Sequence, residues 1–263
     1  MYFGKFFILL LPFIINAQTI TIAVRADHSI EHAVEQWTPT VNYLNKKLSK
    51  YNFKLKTFYP KEFIDIKKQI IAGKIDFVIT QPVIYIDLES TVGISKILTL
   101  KRLGRVTEFG SVIIASKKSR ITKLSQINEN TRIDAVAPFG FGGWLIGLDT
   151  FIKNHVKFNK KNVSFLDSHV KIVNSILNNE ADIGIIRTGV LEELQARKQL
   201  DLQNITILHK QHHEKFPFIC STALYPEWAF AKTKNISDTI AREVTLALLM
   251  MPKDSNGNNK NKK

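Results

Sequence analysis

Disulfide bonds are excluded at once, because Cys220 is the only cysteine in 263 residues. A thiol cross-link therefore cannot hold this chain together, and its core must do so. Long apolar runs are also missing after the first 17 residues. The best later stretch, Leu246 to Met251, is far short of the roughly 20 residues that cross a bilayer. Catalytic signatures are absent too. There is no HExxH, no serine nucleophile elbow, no P-loop or dinucleotide fingerprint, and no carboxylate pair placed as acid and base. The sequence thus supports no enzyme reading and calls for no cofactor. Acidic residues are the minority charge, with 23 Asp and Glu against 37 Lys and Arg, for a formal charge of +14. That excess invites nucleic acid. The lysines are scattered, however, and no basic run is interleaved with aromatics, so nucleic-acid binding is set aside.

What is present begins with an address. Lys5 precedes the apolar run Phe6 to Ile15, and Ile15-Asn16-Ala17 puts small or apolar residues where a signal peptidase reads. The expectation is a signal peptide over residues 1–17, a mature chain from Gln18 and a periplasmic location. No Cys follows the run, so a lipid anchor at a new N-terminal Cys is not expected. The tail, residues 253–263, is Asn- and Lys-rich and reads as disordered.

Between these ends, strand and helix patterns alternate, which predicts an α/β protein of mostly parallel sheets covered by helices. The predicted strands are Thr19 to Arg25, Phe53 to Tyr59, Ile75 to Thr80, Ile94 to Leu103, Glu108 to Ser116, Ile133 to Ala137, Val163 to Leu166, Ile183 to Arg187 and Phe216 to Thr222. Thr38-Pro39 reads as the start of the first helix, Gly73 as a helix stop, and Ser168 and Ser237 as caps. Two segments echo each other. Gly73 to Thr80 and Asn179 to Thr188 each run from a helix end through an Asp and a short apolar strand to polar groups at its carboxyl end. Ligands of open parallel sheets sit outside such ends. Two of them, one from each half, would face each other across a cleft.

Candidate ligand residues follow from that picture. Phe139-Gly140-Phe141-Gly142-Gly143-Trp144 leads from a strand into a helix, where glycines admit a close approach and free amides favour an anion. A tight turn packed by aromatics is the plainer reading. Thr80 and Gln81 offer a hydroxyl and an amide before Pro82, with Tyr85 one turn on. Arg187 and Thr188 offer a guanidinium and a hydroxyl at the echoed place, with Arg187 as the main cation. The plainer roles are an N-cap for Thr80 and an interlobe salt bridge for Arg187. Arg25, His28, His32 and Trp37 lie in the loop after the first strand, which opens onto the same edge of the sheet. Ser221-Thr222 and Tyr225-Pro226-Glu227-Trp228 line the cleft where the chain returns between lobes. His209, His212 and His213 are a conceivable metal set, but no acidic or Cys partner stands at suitable spacing. A solvated loop is preferred and no metal site is assigned. Cys220 reads as a small buried apolar residue.

Together, Gly73 to Pro82, Phe109 to Ala115, Phe141 to Trp144, Asn179 to Leu194 and Phe216 to Phe230 resemble the phosphate/phosphite/phosphonate-type periplasmic substrate-binding proteins. Within that family, Arg25, Glu31-His32, Trp37-Thr38-Pro39 and Tyr43-Leu44 resemble the extracytoplasmic sensor regions of tetrathionate-sensor-like histidine kinases. The resemblance implies a two-lobed type II periplasmic-binding-protein fold, with a hinge of two crossing segments and a ligand cleft between lobes. The two strand–helix runs give lobe 1 over 18–105, with 209–252 returning to the hinge and lobe 1, and lobe 2 over 106–208. The implied ligand is a small anionic or polar solute, commonly an oxyanion, held by helix N-termini and hydroxyls. By position these are Thr80, Gln81, Gly142, Gly143, Trp144, Arg187, Thr188 and Ser221. The implied partner of this monomer is an ABC permease or, alternatively, a sensor histidine kinase. Two features depart from the pattern. Gly142-Gly143-Trp144 stands where phosphonate binders carry a Ser/Thr-rich helix start. The polar tail follows Met251-Pro252, where sensor relatives continue into further sequence and a membrane span.

Overall fold

The computed structural model describes residues 17–26, 29–59, 62–102 and 106–252. The expected signal peptide, His28 and the tail over 253–263 lie outside these residues, apart from Ala17.

The elements run as β1 (Gln18–Arg25), α1 (Ile30–Lys47), β2 (Tyr51–Phe58), α2 (Phe63–Ile71), β3 (Phe77–Thr80), α3 (Pro82–Val92), β4 (Ser95–Thr99), β5 (Glu108–Phe109) and β6 (Ser111–Ser116). They continue as β7 (Ile133–Ala135), α4 (Ile146–Lys153), β8 (Val163–Phe165), α5 (His169–Asn178), β9 (Ile183–Arg187), α6 (Val190–Ala196), β10 (Ile205–Leu208), β11 (Tyr225–Pro226), β12 (Ala229–Lys232) and α7 (Asp238–Leu249). Two five-stranded sheets result, ordered β2-β1-β3-β12-β4 and β10-β6-β9-β7-β8, and a two-stranded ribbon β11-β5 lies apart from both.

The two sheets share one plan. In the first, β1 pairs in parallel with β2 and β3, and β12 inserts antiparallel between β3 and β4. In the second, β7 pairs in parallel with β8 and β9, and β6 inserts antiparallel between β9 and β10. Each antiparallel strand is the one the chain enters on leaving the ribbon: β6 after β5, β12 after β11. The two sheets are therefore two lobes, and the ribbon is where both crossing segments pass side by side.

Each lobe buries its sheet on both faces, as helix-covered parallel strands require. In lobe 1, Ile20, Ile22 and Val24 face Trp37, Val41 and Leu44 of α1 and Val244 of α7. Ala23, Val78 and Ala231 face Ile66, Ile70 and Leu88 on the other side. In lobe 2, Val112, Ile114 and Ile186 pack against α5 and α6. Ile113, Ile183 and Ile185 pack against Trp144 and Phe151.

The echoed segments occupy equivalent places. Helix α2 is followed by Gly73 at φ 70°, and α5 by Asn179 at φ 62°, both left-handed, so each chain turns back into its strand. Asp76 exchanges backbone bonds with Thr21, accepting the Thr21 amide at 2.8 Å on its carboxylate and donating its own amide to the Thr21 carbonyl at 3.0 Å. Asp182 does the same with Arg132, at 2.9 and 3.0 Å.

Four sequence expectations are corrected. Helix α1 starts at Ile30 under the Ser29 N-cap, and Pro39 sits in its interior, without the N–H that would reach back one turn. The apolar stripe Ala33, Trp37, Val41 and Leu44 runs through that proline and supplies the burial that keeps the helix whole. Trp37 is accordingly a core residue, not part of a loop. The expected strand Glu108 to Ser116 breaks at Gly110 into β5 and β6. The expected strand Phe216 to Thr222 is absent, with only a bridge between Gln211 and Cys220. There the amides of Ile113 and Ser111 are taken by the hydroxyls of Ser221 and Thr222 (3.0 and 2.9 Å), so side chains replace a ladder. The strand that returns to lobe 1 is β12. Strand β10 was not foreseen.

Candidate functional site: the carboxyl ends of β3 and β9

The carboxyl end of β3 meets lobe 2 at the loop after β7, and the carboxyl end of β9 meets Glu227 beside the ribbon. On lobe 1, Thr80 ends β3 and is fully buried, and its Oγ1 has no hydrogen-bond partner among the described residues. Gln81 follows as the N-cap of α3, but its side chain does not cap the helix, and Pro82 occupies the first turn. Instead the Gln81 amide crosses to lobe 2 and donates to the Phe139 carbonyl at 3.1 Å. The first turn of α3 thus keeps its dipole without a side-chain acceptor, beside a buried hydroxyl with nothing to bond. Arg25 ends the adjacent strand β1 and is also buried.

Lobe 2 is arranged differently. The Arg187 guanidinium donates to the Glu227 carboxylate and lies 4.3 Å from the centre of the Phe109 ring. Glu227 is buried, and Arg102 approaches its other oxygen at 3.5 Å. Thr188 is buried with its Oγ1 accepting the Gly110 amide at 3.2 Å, and Ser111 Oγ donates to the Gly142 carbonyl at 2.7 Å. Phe141 lies edge-on to both Phe109 and Tyr225, with centroids 5.8 and 5.2 Å apart. These rings make a continuous wall from lobe 2 into the ribbon. Phe139 stands 71% exposed at its rim.

The glycine-rich segment forms a π-helical turn, Phe141–Leu145, that runs directly into α4. Its glycines have a packing role. A Cβ on Gly142 would come within 2.9 Å of the Phe109 ring, and one on Gly143 within 2.4 Å of Val136. Trp144 is enclosed in the lobe 2 core, edge-on to Phe158 and Phe165 at 6.1 and 5.8 Å.

Ser221 is also placed as a structural stitch. Fully buried, it donates to the Leu208 carbonyl at 2.6 Å while accepting from Ile113. The Tyr85 hydroxyl donates to Glu89 and accepts the Lys96 amide at 3.2 Å, tying α3 to β4. His32 is exposed in the first turn of α1. Arg187 makes the interlobe salt bridge that was its plainer reading. Its partner Glu227 was recognised only as a cleft-lining residue, and Arg102 was missed. No local pattern marks that pair, because the three charges come from three separate segments.

His209 and His213 use ring nitrogens on the carbonyls of Ser221 (2.9 Å) and Thr222 (2.8 Å), pinning the segment that replaces the expected strand. Among the described residues, no group of three or more His, Cys, Asp or Glu is placed to hold a metal ion. Cys220 is buried, and burial pushes its thiol up, away from the reactive thiolate.

A family model described as the phosphonate periplasmic substrate-binding protein of ABC transporters matches residues 22–262. Among curated proteins, the chain is similar to the tetrathionate sensor histidine kinase TtrS of Salmonella typhimurium, at 25% identity over 244 residues. That match covers 90% of this chain but 40% of the kinase. Among solved structures, it is similar to PhnD1 of Prochlorococcus marinus in complex with methylphosphonate. That likeness has a TM-score of 0.65 and 14% identity, covering 93% of this chain and 89% of that one. It is also similar to XAC2383 of Xanthomonas citri bound to chloride ion, with a TM-score of 0.68 and 13% identity, covering 91% and 87%. These structural likenesses concern the fold.

Proposed function

The chain belongs to the phosphonate-type periplasmic substrate-binding family of ABC transporters, and from that premise we propose that it captures a small anionic solute between its lobes and delivers it to an ABC permease. It works as a periplasmic monomer and catalyses nothing. Lobe 1 draws on β1 to β4 and β12 and lobe 2 on β6 to β10, with 209–222 packed against lobe 2 before the chain returns through the ribbon to lobe 1.

One observation carries the reading: the buried, unpartnered Thr80 hydroxyl ahead of the uncapped first turn of α3. A buried hydroxyl without a bond costs about 1–3 kcal/mol, a cost that a ligand oxygen would remove. The helix dipole beside it favours negative charge, and Arg25 at the end of β1 adds a cation. Lobe 2 supplies the aromatic wall of Phe109, Phe141 and Tyr225, which excludes water and strengthens each polar contact. Arg187, held by Glu227, contributes field rather than a free fork. A ligand touching both lobes favours their closed arrangement.

The test is a thermal-shift screen of the protein from Gln18 onward against phosphate, phosphite, methylphosphonate, sulfate, thiosulfate and tetrathionate. At least one oxyanion is expected to raise the melting temperature saturably. Stabilisation by none of them, alongside binding of neutral or cationic solutes, would overturn the anion reading. For location, N-terminal sequencing of the periplasmic fraction should begin at Gln18; an intact Met1 on cytoplasmic protein would contradict it.

A second reading is favoured by the kinase similarity: the same cleft feeds a sensor histidine kinase. Deleting the coding region separates the two. Loss of solute uptake supports delivery to a permease, whereas intact uptake with a lost transcriptional response supports sensing.

A further inference from the structure

We propose that Glu227 is an electrostatic latch that holds the two lobes in their present juxtaposition before any ligand arrives. The geometry is a one-to-two ion cluster spanning the hinge. Glu227 follows ribbon strand β11 directly, and its amide donates to the Thr107 carbonyl at 2.7 Å, so its backbone is fixed to the other crossing segment. Its side chain is almost completely enclosed, and each oxygen faces a guanidinium from a different lobe. Arg187 ends β9 of the lobe 2 sheet, backed by the Phe109 ring. Arg102 follows β4 of the lobe 1 sheet, and its guanidinium lies 5.6 Å from the centre of the Trp228 ring in the lobe 1 core.

Physical necessity follows from the counting of charges. Two guanidiniums converge on one buried carboxylate, and Glu227, standing between them, offsets their mutual repulsion. Rotation of the lobes about the ribbon separates at least one arginine from Glu227 and leaves this buried carboxylate with less positive charge around it. The cluster therefore resists opening, and does so around an enclosed carboxylate whose pairing with Arg187 salt screens weakly. The second cross-cleft contact, Gln81 to the Phe139 carbonyl, is a single neutral bond with one exposed partner residue and adds less.

Small-angle scattering on the ligand-free protein tests this without knowledge of the ligand. Glu227→Gln keeps the shape and removes the charge. It should enlarge the radius of gyration relative to the unmodified protein, and Glu227→Asp should restore most of the compact form. Arg102→Gln leaves the Arg187 pair intact, so it serves if Glu227→Gln fails to fold; it should also open the molecule. Gln81→Ala should change the radius less than either. A radius unchanged in both Arg102→Gln and a folded Glu227→Gln would overturn the latch and leave the cluster as local packing. So would opening in Gln81→Ala alone.

Discussion

Lobe 1 and lobe 2 are built to one plan, yet their equivalent strand ends have opposite chemistry. After β3 come Thr80 and Gln81: one hydroxyl buried with no partner, one amide reaching across the cleft. After β9 come Arg187 and Thr188, both satisfied from within by Glu227 and Gly110. The strand orders match, and so do the Asp76–Thr21 and Asp182–Arg132 clasps at the opposite ends of the strands. What differs is what the ribbon brings. It delivers Phe109, Gly110 and Glu227 to lobe 2's strand end, and nothing comparable to Thr80. A shared scaffold thus gives one end with a buried, unbonded hydroxyl and one that is already closed by the protein.

Removing the guanidinium should break this contrast most. Arg187→Ala leaves the buried Glu227 with only the more distant Arg102 as a cation, and should cost about 3 kcal/mol in chemical denaturation. At the echoed place, Thr80→Val removes a hydroxyl that bonds nothing and should instead stabilise the ligand-free protein by about 1 kcal/mol. Destabilisation by Thr80→Val would mean that the hydroxyl is satisfied after all and that the two ends are alike.

Gly110 sharpens the account of the ribbon. A Cβ there would lie 2.7 Å from Thr222 Oγ1, 2.8 Å from the Cys220 sulfur and 2.9 Å from the Ala223 carbonyl oxygen. The backbone carbonyl cannot swing aside, so Gly110→Ala should cost about 1–3 kcal/mol. Melting curves that superimpose would show a looser hinge than the structure has. Ser29→Ala probes lobe 1 alone; loss of the α1 cap should cost about 1 kcal/mol without touching lobe 2's own interactions.

The smallest effect concerns the two clasps. The Arg132 hydrogen bond holds Asp182 below its ordinary value, so Asp182 stabilises the fold above the unfolded carboxylate range, and that contribution disappears as pH falls through its lowered value. Burial pushes Asp76 up, so its contribution is present at low pH and is lost as pH rises through its raised value. Asp182→Asn should therefore flatten the acid side of a stability–pH curve. Asp76→Asn should remove a fall in stability that sets in as pH rises above the ordinary Asp range. Identical curves for both variants would mean that the clasps are electrostatically equivalent.

Much of this fold was legible because its signals are local. Gly73, Ser168 and Ser237 punctuate helices as their chemistry dictates, and the strand cores Ile183 to Arg187 and Phe77 to Thr80 are short apolar runs between such signals. Pro39 misled because a proline at a helix start and one tolerated inside a well-packed helix look the same until burial of Trp37 and Val41 is known. Phe216 to Thr222 misled because hydroxyls took the amides a neighbouring strand would have bonded. The site was legible at the level of segments, since both strand ends stood out by echo. The partners were not: Arg102, Arg187 and Glu227 meet only because the chain crosses the hinge twice.

The most direct measurement is calorimetric titration of the best oxyanion from the thermal-shift screen into two matched variants, Thr80→Val and Thr188→Val. Thr80→Val should lose about tenfold in affinity, the worth of roughly one hydrogen bond in an enclosed site, while Thr188→Val should bind like the unmodified protein. Full affinity in Thr80→Val, or a loss confined to Thr188→Val, would contradict the assignment of the ligand to the lobe 1 strand end.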